Sequence, residues 1–380
     1  MRFDIGWSDL FAGFVGCCVP NHRAKLETAV TAHWPNRDTL IPCLSVRSGF
    51  DSLLSALALP TDSEVLLTGL TVPHMPKIVR EHGLVPVSVD LEPGGFRPDI
   101  AAIKVAMTAK SRVLVIAHLF GDRIPMQPIL DLARQHNLIV VEDCAQSYSG
   151  MENQFHMDSD VALFSFGPIK TATALQGGLV RVKDDGLRQK IKTVQQQQTV
   201  QSRWSFAKRI LKYVSLKLIS TRLFFGLFVR LCRLLKIDYD QYLNRSSSNF
   251  IDGDLLDQLR QRPSLGLLSL MNRRFRTFNP SRIDSRIRNG RQLAELTGCQ
   301  RSADHVHWVF PVICAQPEEA VDSLRKAGFD ATLRSRLAIV DASESPRIQE
   351  TYDRTVFVPF YPELSDSAVE KIGRIVRQYV

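Results

Sequence analysis

The chain has 380 residues, of which 44% are hydrophobic and 23% are charged. These values are ordinary for a globular protein, so they exclude a disordered chain and a fibrous repeat, and the length predicts one large domain with a smaller one. The net charge of +9 equals the nine basic residues between Arg203 and Lys236, a stretch without acidic residues, so the excess charge is local.

The N-terminal segment and the cysteines bear on the cellular compartment. Asp4 and Asp9 interrupt a weakly apolar stretch, which argues against the clean apolar run of a secretory signal. The seven cysteines are odd in number and lack the paired spacing of metal ligands, so no metal site is predicted. Both features predict a protein of the reduced cytoplasm.

Residues 45–182 alternate short apolar runs with longer helical patterns, which predicts an α/β domain with a mostly parallel central sheet and crossover helices on both of its faces. The strand candidates are 64–69, 85–90, 112–119, 138–143, 161–166 and 178–182. Ligands of such sheets bind beyond the carboxyl ends of the strands, where Asp143, Ser165 and Lys170 are expected. The predicted domains are a large domain with an N-terminal arm at 1–190, a basic amphipathic insertion at 191–250, and a smaller C-terminal α+β domain at 251–380.

The basic apolar segment 203–236 is too interrupted to cross a bilayer, because its longest uncharged run, 223–229, is far shorter than the roughly 20 residues needed. Two interpretations stay open. The segment is either a peripheral membrane helix attracted to anionic lipid, with aromatic side chains such as Trp204 available for insertion, or an arm that packs on a partner subunit. Nucleic-acid binding is not expected, because no recognised module accompanies the charge.

Two of four separated segments place polar groups where a small ligand can bind. Ser48 and Gly49 precede an apolar helical pattern whose first backbone N–H groups can hold a phosphate, although a Ser-Gly pair there also serves as a simple helix cap. Asp143 follows an apolar strand, where a carboxylate can pair with a protonated pyridine nitrogen or cap a helix. Gln146, three residues further on, can reach a ring hydroxyl.

The other two segments contain the candidate nucleophile. Ser165 lies five residues before Lys170 on an emerging strand, so the hydroxyl and the amine can meet the phosphate and aldehyde ends of one ligand. A lysine that reacts with an aldehyde needs a lowered pKa and a cofactor held in register. A lone loop lysine is usually only solvated, but Lys170 follows an apolar strand and precedes a Gln-Gly-Gly sequence.

The order SGF, VEDCAQS, FSFGPIK and QGG resembles the DegT/DnrJ/EryC1/StrS family of nucleotide-sugar aminotransferases, and the ending FVPFYPELSDSAVEKI is also similar to that family. The resemblance covers residues 45–192 and about the last hundred, and leaves the basic insertion outside. It implies a fold-type I transferase that binds pyridoxal 5'-phosphate, a homodimer with sites near the subunit interface, and glutamate as the amino donor. The implied acceptor is a keto sugar, nucleotide-linked, for surface-polysaccharide or glycolipid synthesis.

The resemblance also implies roles for individual residues. Lys170 matches the Schiff-base lysine, which also acts as acid and base, Asp143 matches the partner of the pyridine nitrogen, and Gln146 matches the residue beside the ring hydroxyl. The positions that match phosphate contacts are Ser165, Ser48 and Gly49.

Several positions depart from the family pattern. Phe50 stands where a threonine hydroxyl would reach the phosphate, and Val72 stands where an aromatic would stack on the cofactor, with His74 nearby as a substitute. Gln176 replaces an acid, and the partner-subunit Asn-x-Arg motif reads Arg260-Gln261-Arg262. A cofactor-binding sensor without turnover, and an aminotransferase with a membrane-associated, lipid-linked acceptor, therefore remain as alternatives.

Overall fold

The structure is a computed structural model that describes residues 4–152, 154–219, 255–303, 305–333, 337–341 and 345–380. The expected insertion at 191–250 is thus described only as far as residue 219, and its remainder lies outside the described residues. The helices are α1 Trp7–Cys18, α2 Arg23–Thr31, α3 Val46–Leu57, α4 His74–Glu81, α5 Ile100–Ala106, α6 Gln127–Gln135, α7 Asp185–Gln197, α8 Arg203–Ile219, α9 Leu255–Leu259, α10 Leu265–Arg276, α11 Ser281–Thr297, α12 Pro317–Lys326, α13 Pro346–Asp353 and α14 Asp366–Val376. The strands are β1 Leu40–Cys43, β2 Glu64–Thr68, β3 Leu70–Thr71, β4 Val85–Val89, β5 Ser111–Ala117, β6 Ile139–Asp143, β7 Val161–Ser165, β8 Gly178–Val182, β9 Thr199–Val200, β10 Gln261–Arg262, β11 Phe310–Ile313, β12 Thr332–Leu333, β13 Ala338–Ile339 and β14 Thr355–Val358.

The large domain is built on a seven-stranded sheet with the order β1-β8-β7-β6-β5-β2-β4. Its strands from β7 to β4 pair in parallel, whereas β8 runs antiparallel to both of its neighbours. All six predicted strands are present, so the predicted α/β class with a mostly parallel sheet is confirmed. The structure adds β1 at the edge, where Pro42 is tolerated because it lies on an outer strand.

The sheet is covered on both faces because its apolar strands expose side chains alternately to each side. On one face, Val65 and Val115 pack with Phe50 of α3, in a cluster that also takes in side chains of α4 and α7. On the other face, Leu66 and Leu114 pack against α5 and α6. The helices on both faces that the sequence predicted are therefore present.

Helix α10 belongs to the core of the large domain. Its side chains Met271 and Phe275 lie in one hydrophobic cluster with Phe164 and Phe166 of the β7 region, and α1, α2 and α8 pack around it. Packing in this cluster positions α10 beside the loop that carries Lys170.

The C-terminal part forms a smaller α+β unit. Strands β11, β14 and β12 make an antiparallel three-stranded sheet, and α11, α12 and α14 cover it through a separate hydrophobic cluster. The strand pair β13 and β3 joins this unit to the large domain, with Ala338 opposite Thr71.

Candidate active site

A pocket lies at the carboxyl ends of β5 and β6. It forms there because Ala117 and Asp143, the last residues of the two strands, are direct partners in the parallel pairing. The side chains and backbone that line it come from Thr71, Val72, Ala117, His118, Leu119, Asp143 and Gln146. The structure therefore brings together three of the residues singled out from the sequence.

Asp143 is a buried carboxylate at this pocket, with 8% of its surface exposed. Its Oδ1 accepts a hydrogen bond of 2.9 Å from the Ala145 amide, while Oδ2 has no hydrogen-bond donor among the residues that the structure describes. Burial raises the pKa of Asp143, and the positive charge of Lys170 acts in the opposite direction. A cation in the pocket would stabilise the charged carboxylate further.

Gln146 is held by the loop that follows β5. Its Oε1 accepts a hydrogen bond of 2.8 Å from the amide of Phe120, a residue in the left-handed region at φ 60°. Next to it, the amide of Ile124 donates to His118 Nδ1 at 3.1 Å, so the proton of the neutral ring lies on Nε2, which donates to Glu142 at 2.8 Å. These bonds fix the pocket wall without engaging the amide NH2 group of Gln146.

Lys170 lies half-buried beneath an aromatic ring. Its Nζ is 3.8 Å from the centroid of the Trp308 ring, and Trp308 Nε1 donates to the carbonyl of Ile169 at 3.2 Å. Burial lowers the pKa of Lys170 to about 8, although the charge of Asp143 raises it and that of Arg47 lowers it. A substantial fraction of the amine is therefore neutral near pH 8, which is the form that reacts with an aldehyde.

The loop that carries Lys170 is held by contacts from distant parts of the chain. Its backbone turns through Ala172 at φ 54°, a conformation that costs energy for any residue but glycine. Asp4 Oδ2 accepts a hydrogen bond of 2.8 Å from the Ala172 amide, and Arg274 of α10 donates to the carbonyl of Thr173 at 3.0 Å. The N-terminal arm thus supports the position of the lysine.

Ser165 lies close to Lys170. A Cβ atom on Gly167 would be 3.7 Å from Ser165 Oγ and 4.0 Å from Lys170 Cγ, so the hydroxyl and the base of the lysine side chain flank the same residue. Ser165 is half-buried at the end of β7.

The residues in the first turn of α3 that were predicted to lie at a phosphate site have other roles in the structure. Ser48 Oγ donates to the carbonyl of Ser45 and accepts from its amide, both at 2.8 Å, so this hydroxyl forms part of a helix cap. Gly49 is needed for packing, because a Cβ there would overlap Val180 of β8. The Phe50 ring exposes none of its surface and lies in the hydrophobic core.

Arg47 is a cation of this turn that the sequence analysis missed. Its Nη1 is 3.4 Å from Nδ1 of His74, and burial lowers the pKa of Arg47 to about 10, with Arg209 of α8 lowering it further. Burial likewise lowers the pKa of His74 to about 4, so this ring is neutral at physiological pH. The signal was the presence of a basic residue inside the turn expected to bind a phosphate, beside Lys170.

The remaining departures from the family pattern make contacts within the chain. Gln176 accepts a hydrogen bond of 2.8 Å from the side chain of Gln201. Arg260 pairs with Asp51 at 3.3 Å, and Arg262 lies 3.8 Å from a carboxylate of α2.

The seven-stranded, mostly parallel sheet with helices on both faces is a fold found in solved aminotransferase structures. A family model for the DegT/DnrJ/EryC1/StrS aminotransferase family matches residues 21–218. The chain belongs to this family, as its motifs indicated.

Individual relatives match over part of their length. The GDP-perosamine synthase of Caulobacter vibrioides is 31% identical over 159 residues, which are 41% of this chain and 43% of that protein. The pleiotropic regulatory protein of Geobacillus stearothermophilus is 29% identical over 173 residues, which are 45% of this chain and 46% of that protein. The matched part thus spans less than half the length of either relative.

The fold is similar over nearly the whole chain. The PMP form of a protein described as a sugar aminotransferase, from Streptococcus pneumoniae, superposes with a TM-score of 0.69 at 14% identity and covers 100% of this chain and 98% of that one. At this level of identity the likeness establishes the fold alone.

Proposed function

We propose that this protein is a pyridoxal-phosphate-dependent aminotransferase that moves an amino group from glutamate to a nucleotide-linked keto sugar. The observation that carries the proposal is the electrostatic interaction between Lys170, an amine covered by the Trp308 ring, and Asp143, a buried carboxylate of the strand-end pocket. Family membership supports the reaction class, and the sugar-modifying relative supports the acceptor class.

The donor set of the pocket suits this cofactor. Asp143 Oδ2 is placed to hold a ring nitrogen in its protonated form, and Val72 supplies an apolar wall against which a ring can pack. The oxygen of Gln146 is bound to the loop after β5, and its NH2 group has no acceptor among the residues that the structure describes, so it can donate to a ring hydroxyl. Arg47 acts electrostatically on Lys170, and Ser165 lies near the base of its side chain, so a cation and a hydroxyl are available for a phosphate.

The lysine has two tasks in the proposed reaction. Its neutral amine would hold the cofactor through the aldehyde, and Lys170 Nζ would take the proton from the α-carbon of the amino donor and return it in the reverse direction. When bound, pyridoxal phosphate supplies the electron sink that makes this proton acidic. The exchange converts glutamate to 2-oxoglutarate, and the carbonyl of the keto sugar to an amine.

Trp308 covers one side of the amine, with its ring centroid 3.8 Å from Lys170 Nζ. Burial lowers the pKa of Lys170 to about 8, whereas an aromatic face beside an ammonium favours the charged form, so the role we propose for the ring is to orient the amine.

The test follows the bound cofactor and the product of the donor. Protein incubated with pyridoxal phosphate should show a visible absorbance band that fades with glutamate, with stoichiometric release of 2-oxoglutarate when a panel of nucleotide-linked keto sugars is added. Lys170→Ala should abolish both signals, while Lys104→Ala, on the exposed side of α5, should change neither. Turnover that survives in Lys170→Ala would sink the proposal.

A cofactor-binding regulatory protein is the second candidate. The burial of Phe50 in place of a phosphate-binding hydroxyl favours it, as does the similarity to a protein named as a pleiotropic regulator. A cofactor band that no amino donor alters would identify this function, whereas fading with glutamate would exclude it.

A further inference from the structure

Helices α1 and α8 lie side by side and antiparallel on the outside of α10. At one end, Lys217 Nζ of α8 is 5.3 Å from the centroid of the Trp7 ring of α1. In the middle, a Cβ on Gly13 would lie 3.3 Å from Ile210 Cδ1, with α10 on its other side. At the far end, the side chain of Cys17 lies near Arg203, whose charge lowers the pKa of its thiol against the larger effect of burial.

The outward sides of these two helices are apolar. On α1, Trp7, Phe11 and Val15 recur every four residues and are 47%, 72% and 39% exposed. On α8, Trp204 and Leu211 lie seven residues apart and are 71% and 51% exposed. These spacings place each set on one side of its helix, and the two helices are in contact, so we call these five exposed side chains together the outer face.

The charge around the outer face is of one sign. Lys208 stands between Trp204 and Leu211 in the same row of α8, and Lys212 flanks it. The one acidic side chain of the two helices, Asp9, is buried against Arg273 at 2.8 Å. The sequence that follows α8 as far as residue 236 adds four basic residues and no acidic one.

We propose that the outer face docks this protein on a membrane rich in anionic lipid. Exposed tryptophan and phenylalanine rings insert at the level of the headgroups, and lysines beside them are attracted to anionic lipid, which is the pattern of a helix lying in the interface. A second copy of the chain fits this face less well, because a two-fold pairing would bring the lysine-bearing rows of both copies together. Among the described helices none is long and apolar enough to cross a bilayer.

The proposal is tested by co-sedimentation of the full-length protein with vesicles of phosphatidylcholine alone or mixed with phosphatidylglycerol. Binding is expected only to the anionic vesicles and should weaken with salt. Phe11→Ser with Trp204→Ser should remove it. Lys208→Gln with Lys212→Gln should weaken it about 30-fold, because each basic side chain near an anionic surface contributes about five-fold.

Matched controls keep the result interpretable. Val105→Ser and Lys104→Gln change an 86% exposed apolar residue and an exposed lysine on α5, and both should bind like the wild type. Brominated anionic lipid should quench tryptophan fluorescence of the wild type and quench that of Trp204→Phe less. Equal binding to neutral and anionic vesicles, or variants that bind like the controls, would overturn the proposal. So would a change from dimer to monomer on substitution of Phe11 and Trp204, since the outer face would then be a subunit interface.

Discussion

Replacing Asp143 with Asn should lower the pKa of Lys170 below its present value. Burial brings this pKa from 10.5 to about 8, and the negative charge of Asp143 opposes the change. Asparagine has the same shape and can still accept the hydrogen bond from Ala145, so burial is left to act unopposed. A carboxylate close to an amine shifts its pKa by about 1–3 units, and loss of one unit would place the pKa of Lys170 at about 7.

The assay measures the amine in cofactor-free protein. The rate at which an aldehyde reagent labels the Lys170 peptide follows the neutral fraction of the amine, so its pH profile reports the pKa. At pH 7 about a tenth of the amines are neutral in the wild type and about half in Asp143→Asn, which gives roughly five-fold faster labelling. Asp158→Asn, an exposed carboxylate paired with Lys183 at 3.0 Å, should leave the profile unchanged. A midpoint that stays or rises in Asp143→Asn would refute the reasoning, because the carboxylate would then not act on the lysine.

Three further substitutions test how the site is supported. Asp9→Asn should lower the free energy of unfolding at pH 7 by about 3 kcal/mol in urea titrations, because it removes the carboxylate that pairs with Arg273 at 2.8 Å and with the buried Arg274 at 2.6 Å, and leaves Arg274 only the more distant Asp4 at 3.5 Å. Burial raises the pKa of Asp9, but Arg274, Arg273 and the Gly6 amide together lower it below its usual value of 3.8. The ion pairs therefore contribute fully above pH 3.8 and are lost as the pH falls through the lower, folded value; equal stability of variant and wild type at pH 7 would contradict this. Phe50→Thr should cost about 3–4 kcal/mol by emptying a core position, and tighter cofactor binding in this variant would show that the ring is not where the structure places it. Gly49→Ala should cost about 1–3 kcal/mol through overlap with Val180, and Val180→Ala should recover most of that loss in the double variant; no recovery would point to another cause.

The central sheet was predictable because buried parallel strands are continuous apolar runs, and β2, β5 and β6 each carry one. The edge strand β1 was not, because four residues that include Pro42 resemble a loop more than a strand. The division of the chain into domains is less visible in the sequence. The amphipathic pattern of α10 is the same whether it packs on the large domain, as it does through Met271, or on the smaller unit.

Of the pocket residues, only those whose positions follow from the strand topology could be predicted from the sequence. Parallel strands bring their carboxyl ends to one edge, so Asp143 and Gln146 had to lie near the loop after β5. Trp308 reaches Lys170 from 138 residues away along the chain, Asp4 reaches Ala172 of the same loop from 168 residues away, and no local pattern marks such contacts. The acidic residues of the N-terminal arm appeared in the sequence only as interruptions of an apolar stretch, whereas their physical role is to pair with arginines of α10.

Helix α1 connects the outer face to the site, and this allows the two proposals to be separated. Its inward side is fixed by the ion pairs of Asp9, next to the Asp4 contact that supports the lysine loop, while its outward side presents Phe11. A substitution at Phe11 should therefore weaken vesicle binding and leave the labelling profile of Lys170 unchanged, because the ring lies on the opposite side of the helix from the ion pairs. Asp9→Asn should alter both vesicle binding and the labelling profile of Lys170, because loss of its ion pairs weakens the attachment of the whole helix to α10. If Phe11→Ser also shifted the labelling profile, the outer face and the pocket would not be independent, and loss of vesicle binding could not be attributed to the face alone.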